Sequence, residues 1–301
     1  MKVQPIPTNN DETNDNASDK KDINGKNNDS KRKHAKYLRA LIAAVVVGIC
    51  IWGILSKNGN EQGSGAQEIS YKTFTVNGVS FDMARVEAGT FTMGATSEMQ
   101  NPWDEEKPAH QVTLTNNYYL GKTEVTQALW KAVMGSNPSN FKGDNKPVEC
   151  VSWDDCQTFI SKLNAATGKN FRLPTEAEWE FAARGGNSSK HYQYSGSNNI
   201  NDVAWYYGNS GNTTHDVASK QPNELGIYDM SGNVWEWCND WYGDYSSSSQ
   251  TNPMGPNSGS CRANRGGSWF SSARYCRSSL RSGGAPGLRL NDRGLRLALS
   301  E

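Results

Sequence analysis

The stretch FRLPTEAEWEFAARGG at 171–186 sets the frame from which the rest of the chain is read. Thr175 followed by Glu178 forms a capping box, which predicts a helix over TEAEWEFAAR that Gly185-Gly186 stops. On its N-terminal side, FTVNGVSFDMARV places a two-residue Asn77-Gly78 turn between two alternating runs, the pattern of a tight hairpin. Two more helices are expected between these stretches. Thr123 is placed at the cap of one ending near Gly135, and Ser152 at the cap of another running through Leu163. The folded part is therefore α+β, with short elements and much loop.

Composition agrees with such a domain. The 301 residues carry 31 basic and 31 acidic side chains, so no net charge points to nucleic acid or to coating of a membrane surface. Only 35% are apolar, against 10 Trp, 12 Tyr and 29 Gly, which excludes a coiled coil, a helical solenoid and a polytopic transporter. Three His remain after His34, namely His110, His191 and His215, and none stands in HxxxH or HxE spacing. Of the six Cys, none forms CxxC. A zinc ribbon and a His-rich iron or zinc centre are thereby disfavoured.

Residues 1–36 are Asn, Asp and Lys with little that could form a core, and are expected to be disordered on the cytoplasmic side. Residues 37–56 follow, with no charge from Ala40 to Leu55, and match a transmembrane signal anchor. Lys31, Arg32, Lys33, Lys36 and Arg39 precede the span and Lys57 follows it, which puts the N-terminus in the cytoplasm and the remainder outside. Residues 57–70 read as a Gly/Ser/Asn linker, and 71–301 as one folded domain, periplasmic or extracellular.

Within that domain VEAGTFTMG (86–94), EKPAHQVTL (106–114), TEVTQALW (123–130), PVECVSW (147–153), the helix above, NELGIYDMSGNVWEW (223–237) and RGGSW (265–269) occur in order. The series resembles the formylglycine-generating enzyme, or sulfatase-modifying factor, family, which implies an elaborated, loop-rich C-type-lectin-like fold. The resemblance implies a copper ion on two thiolates five residues apart, at the positions of Ser271 and Cys276 here. Only Cys276 is present, and a hydroxyl is a poor ligand for Cu(I), so copper and formylglycine-generating oxidation of a substrate cysteine belong to an alternative reading. The resemblance also implies Ca²⁺ on the side chains of Asp229 and Glu236 and the carbonyls of Gly232 and Val234. Trp179, Trp205, Trp235, Trp237 and Trp241 could form a carbohydrate platform, but core packing is the favoured reading.

From Arg262 to Arg296 there are eight Arg, no Lys and one acid, Asp292. An arginine framework holding backbone carbonyls is the expected role. Between the arginines no period survives, and the arrangement resembles the variable proteins of diversity-generating retroelements, whose mutagenised codons never encode Lys, Glu, Gln, Met or Trp. Those five types number 60 in the chain, yet the window 270–292 holds none. The resulting expectation is a non-catalytic, membrane-anchored protein. Its C-terminal face would bind an unknown protein or glycan through Phe270, Ser271, Ser272, Tyr275, Leu280, Leu290, Asn291 and Asp292. A formylglycine-generating oxidase and a structural subunit of an envelope complex stay open as alternatives.

Overall fold

The structure, a computed structural model, describes residues 69–301. The tail at 1–36, the apolar span at 37–56 and nearly all of the linker lie outside the described residues. Among the described residues no helix is long and apolar enough to cross a membrane.

Three sheets organise the domain. Strands β1 (Tyr71–Val76) and β2 (Val79–Val86) form the expected hairpin, with Asn77 and Gly78 both at positive φ, as a two-residue turn of this hand requires. They continue through β5 (Tyr118–Gly121) and the last strand β12 (Ala298–Ser300) to β6 (Phe171–Arg172). The C-terminal strand is thus inserted antiparallel inside the sheet that the first hairpin begins. A second sheet runs in the order β10 (Arg281–Gly284), β9 (Arg262–Arg265), β7 (Trp235–Trp241) and β11 (Arg293–Leu295). The third joins β3 (Gly89–Met93), β4 (His110–Leu114) and β8 (Gln250–Thr251).

Capping explains where the helices start. Helix α3 (Glu176–Ala183) has the capping box read from the sequence, with Thr175 Oγ1 accepting from Glu178 N–H and Glu178 answering on Thr175 N–H. Helix α2 (Trp153–Thr167) starts at Ser152 as expected but runs past Leu163 to a left-handed Gly168. Helix α1 (Gln127–Met134) is capped by Thr126, not Thr123. Residues 123–125 are tied into the fold instead: Val125 donates its N–H to Leu295 O, and the Thr123 hydroxyl turns to Glu124 O.

The apolar residues gather in two cores. One packs α1 and α2 on the five-stranded sheet, with Trp130 stacked on Phe159 at 4.8 Å. The other surrounds Trp179, Phe181 and Val112. Trp179, Trp235 and Trp237 are buried, and the indole N–H of Trp237 bonds Val151 O at 3.0 Å, as expected of core tryptophans. Trp205 and Trp241 are half-buried and serve cations: Lys220 sits over Trp205, and Arg262 over Trp241.

The arginine framework is real, and it holds more than carbonyls. Arg265 pairs with Glu180 and donates to Leu280 O. Arg277 pairs with Glu106 and donates to Gln100 O. Arg281 grips Glu176 with two nitrogens, at 2.8 and 2.6 Å, and donates to Gly243 O. Arg296 grips Glu236 and also donates to Gly121 O and Tyr228 O. All four pairs are buried. Removing one partner of such a pair leaves an uncompensated buried charge, at a cost of about 3–5 kcal/mol. Arg296→Met should therefore lower the denaturation midpoint sharply. Arg289→Met, at an exposed arginine whose partner Asp155 is half-buried, should leave it nearly unchanged. Urea unfolding of both variants checks the contrast.

Candidate functional site

The segment after β9 is pinned through its backbone. Gly267 stands at φ +74° where a Cβ would meet Cys276 Sγ at 2.9 Å, so only glycine lets the chain turn there. Trp269 N–H bonds Asn233 O, its indole N–H bonds Asn291 O, and its own carbonyl accepts from Ser210 Oγ. Ser271 and Ser268 close a tight turn by reciprocal bonds of 3.0 Å. Ser271 O accepts from Tyr207 N–H, and Asp292 O from Trp235 N–H.

Held in this way, the segment presents side chains outward. Phe270 is 60% exposed and meets Tyr207, itself 63% exposed, edge-on at 6.0 Å. Tyr275 is exposed on a 3-10 turn over Ala273–Cys276, against Trp103 at 4.7 Å and Trp235 at 6.4 Å. The Arg274 guanidinium lies over Trp103. Leu290 and Ser272 are exposed as well, while Ser271, Asn291 and Asp292 are half-buried. Burial pushes the Asp292 carboxyl above its ordinary range. Trp103 and Tyr207 reach this surface from distant loops, and no local pattern in the sequence signals it.

Leu280 does not belong to the surface. It is fully buried at the entry to β10, its carbonyl held by Arg265. Ser278 and Ser279 are buried beside it, and Ser279 Oγ donates to Glu106. At Gly284 an added Cβ would lie 2.7 Å from the Trp237 ring. The window 270–292 is therefore not uniformly free. Its inward-facing arginines draw Arg277–Arg281 into the interior, and the positions open to change are 270, 272, 275, 285, 287 and 290.

The residues do not fit a copper dithiolate. Ser271 Oγ is spent on the Ser268 N–H, and the Cys276 thiol is fully buried and pushed up to about 12 by that burial. Nor does Glu236 fit as a calcium ligand. Both its oxygens accept from Arg296, and Trp179 Nε1 donates to it at 2.6 Å. Among the carboxylates intended for the metal, only Asp229 escapes an arginine; its Oδ2 accepts the Ala218 N–H at 2.7 Å. Glu124, buried nearby, accepts from Asn233 Nδ2 and Val234 N–H and so ties down the 229–236 loop. Gly232 and Val234 serve this loop through N–H groups, donated to Gly266 O and Glu124 respectively.

Burial raises the Asp229 carboxyl to about 6 and Glu124 well above its ordinary value, with Glu236 adding repulsion to both. Unfolded Asp ionises near 3.9. Between about pH 4 and 6 the folded chain thus binds the extra proton, and stability falls as pH rises through that window. The melting temperature should be higher at pH 5 than at pH 7, at a slope of at most about 1.4 kcal/mol per pH unit for this one group. Asp229→Asn should make the slope shallower, with the buried carboxyls of Glu124 and Asp240 supplying what remains, as differential scanning calorimetry can record.

The description "Sulfatase-modifying factor enzyme 1-like domain" matches residues 71–301. The chain is 36% identical over 244 residues to the chaperone protein LppX of Paenibacillus barcinonensis, covering 64% of this chain and 80% of that one. It is 30% identical over 285 residues to the formylglycine-generating enzyme of Mus musculus, covering 72% and 74%. Its fold is similar to that of Treponema denticola variable protein 1, with a TM-score of 0.71 and 37% identity over 77% of this chain and 99% of that structure.

Proposed function

Because residues 71–301 belong to the sulfatase-modifying factor enzyme 1-like domain family, we propose that this chain uses the family scaffold for ligand binding rather than catalysis. The binding face is the aromatic surface of Phe270, Tyr275 and Leu290 with their neighbours Tyr207 and Trp103. One observation carries the reading: large apolar side chains are exposed on a backbone segment that is itself pinned on both sides. Exposed apolar groups gathered on one surface mark an interaction site. The similarity to a variable protein supports diversification at the outward positions. A template repeat beside the gene, with adenines at the codons of 270, 272, 275 and 290, would support it further; framework codons varying equally would not.

The chain in this reading is anchored by 37–56 with its domain outside the cytoplasm. Protease added to intact spheroplasts should digest the domain and spare the tail; the opposite pattern defeats that topology.

The oxidase reading rests on 30% identity to a formylglycine-generating enzyme. Incubation with copper, oxygen and a cysteine-containing sulfatase peptide should yield no aldehyde by mass spectrometry, since Ser271 cannot complete the thiolate pair. Turnover that disappears in Cys276→Ser would establish the enzyme instead.

Binding is tested by screening the chain against glycan arrays and surface-protein extracts. The combined variant Phe270→Ser, Tyr275→Ser, Leu290→Ser should lose the binding found, with a melting temperature within a few degrees of the parent, because anchors of this kind carry about 2 kcal/mol or more each. Leu280→Ser should instead destabilise the fold by about 2–5 kcal/mol, as a core truncation. Undiminished binding by the triple variant would remove the face from the function.

A further inference from the structure

We propose that a cavity of about 470 Å³ walled by the 243–256 loop is a binding site for a primary alkylammonium group, with Asp240 as its counter-ion. The cavity shares no lining residue with the aromatic face, so this site stands independently of the function proposed above.

Asp240 lies on β7, is 3% exposed and lines the cavity. Its Oδ2 accepts the Glu176 N–H at 2.9 Å, at the start of α3. Unlike Glu106, Glu176, Glu180 and Glu236, it has no ion pair among the described residues. The arginines around it pair or stack with other groups. Arg172 grips Glu178 with two nitrogens, and Arg281 grips Glu176. Arg262 is held between the rings of Trp153 and Trp241, at 3.8 and 3.5 Å, and donates to Asn239 O. Burial, with the charges of Glu176 and Glu178 close by, pushes the Asp240 carboxyl up to about 8.

The other polar groups of the cavity, with the carboxylate of Asp244 at its rim among them, can accept from a donor. Tyr245 Oη is buried with no hydrogen-bond partner. His110 Nδ1 contacts Pro108 O at 3.1 Å, which in the neutral ring leaves Nε2 as an acceptor. The guanidinium of Arg281 is spent on Glu176 and Gly243 O, so an anionic ligand would find no free cation here. An ammonium brings three N–H donors and the missing positive charge. The imidazole of His110 and the ring of Tyr245, packed edge-on at 4.8 Å, add an aromatic wall. Met93 and Met254 offer apolar surface for an alkyl stem, and Met254 is 63% exposed. A lysine side chain of a partner polypeptide and a free alkylamine share this chemistry. On binding near neutral pH the Asp240 carboxyl gives its proton to the buffer, and the carboxylate formed pairs with the ammonium.

Isothermal titration of the full chain with n-butylamine, with Nα-acetyl-lysine methylamide and with 1-butanol tests the site. Both amines, or one of them, should bind at least tenfold more tightly than butanol. A preference for the lysine derivative points to a polypeptide ligand, and a preference for butylamine to a free amine. Affinity should rise from pH 7 to 8.5, and at pH 7 the heat should depend on the buffer's ionisation enthalpy, reporting the released proton. Asp240→Asn should weaken binding at least tenfold, and Tyr245→Phe should weaken it severalfold with the fold intact. Should Asp240→Asn not fold, the buffer dependence and Tyr245→Phe decide. Butanol binding as tightly as the amines, or no amine binding at millimolar concentration, overturns the proposal and leaves Asp240 as a cap on α3 alone.

Discussion

Four buried arginine–glutamate pairs carry the architecture. Arg265, Arg277, Arg281 and Arg296 all come from the last forty residues, and their partners Glu180, Glu106, Glu176 and Glu236 come from earlier in the chain. Each arginine also donates to at least one backbone carbonyl, so a single side chain neutralises a charge and satisfies loop backbone together. The planar fork of guanidinium makes this possible; a lysine has no second or third fixed direction in which to donate. A domain with so little regular structure needs such devices, because irregular backbone taken out of water must find partners somewhere. Burying these charges is costly in itself, and the return is a loop-rich interior with one defined arrangement.

The aromatic face follows from that interior. Arg265 and Arg277 bracket the 266–276 segment, while Trp269 is bonded on both its backbone and its indole. The backbone therefore does not depend on what Phe270, Ser272 or Tyr275 contribute, and their side chains are free to serve contact instead. The same pinning leaves no pair of accessible thiolates at 271 and 276, since Ser271 is consumed by its own turn and Cys276 is sealed beneath it.

The pairs also sort the buried acids into two electrostatic classes. Glu176, neutralised by Arg281 and Arg265, is held below the ordinary carboxylate range despite complete burial. Glu124, Asp229 and Asp240 have no such partner among the described residues, and desolvation drives them upward. Asp229 sits on the loop that leads into β7, Glu124 holds that loop from the stretch before α1, and Asp240 sits near the end of the strand. One central strand thus joins the wall of the aromatic face, through Trp235, to the acidic cavity on its far stretch.

Local chemistry was legible in the sequence by itself. The Asn77-Gly78 hairpin, the Ser152 and Thr175 caps and the ordered motifs from Val86 to Trp269 determined the fold class, because turns and caps are decided by residues within a few positions of one another. The missing thiol at Ser271 could be read in the same way. Only the tertiary structure decided what depends on partners far apart along the chain. Thr123 looked like a cap, but the bond from Val125 N–H to Leu295 O ties that stretch to the C-terminal segment, and the helix starts only after Thr126. Glu236 looked like a metal ligand, but Arg296, sixty residues later, takes its charge. Leu280 looked free among serines and glycines, but the arginine on either side of it points inward to a glutamate and draws it into the core. A charged residue in a sequence does not reveal which opposite charge will meet it, and here that pairing separates surface from interior.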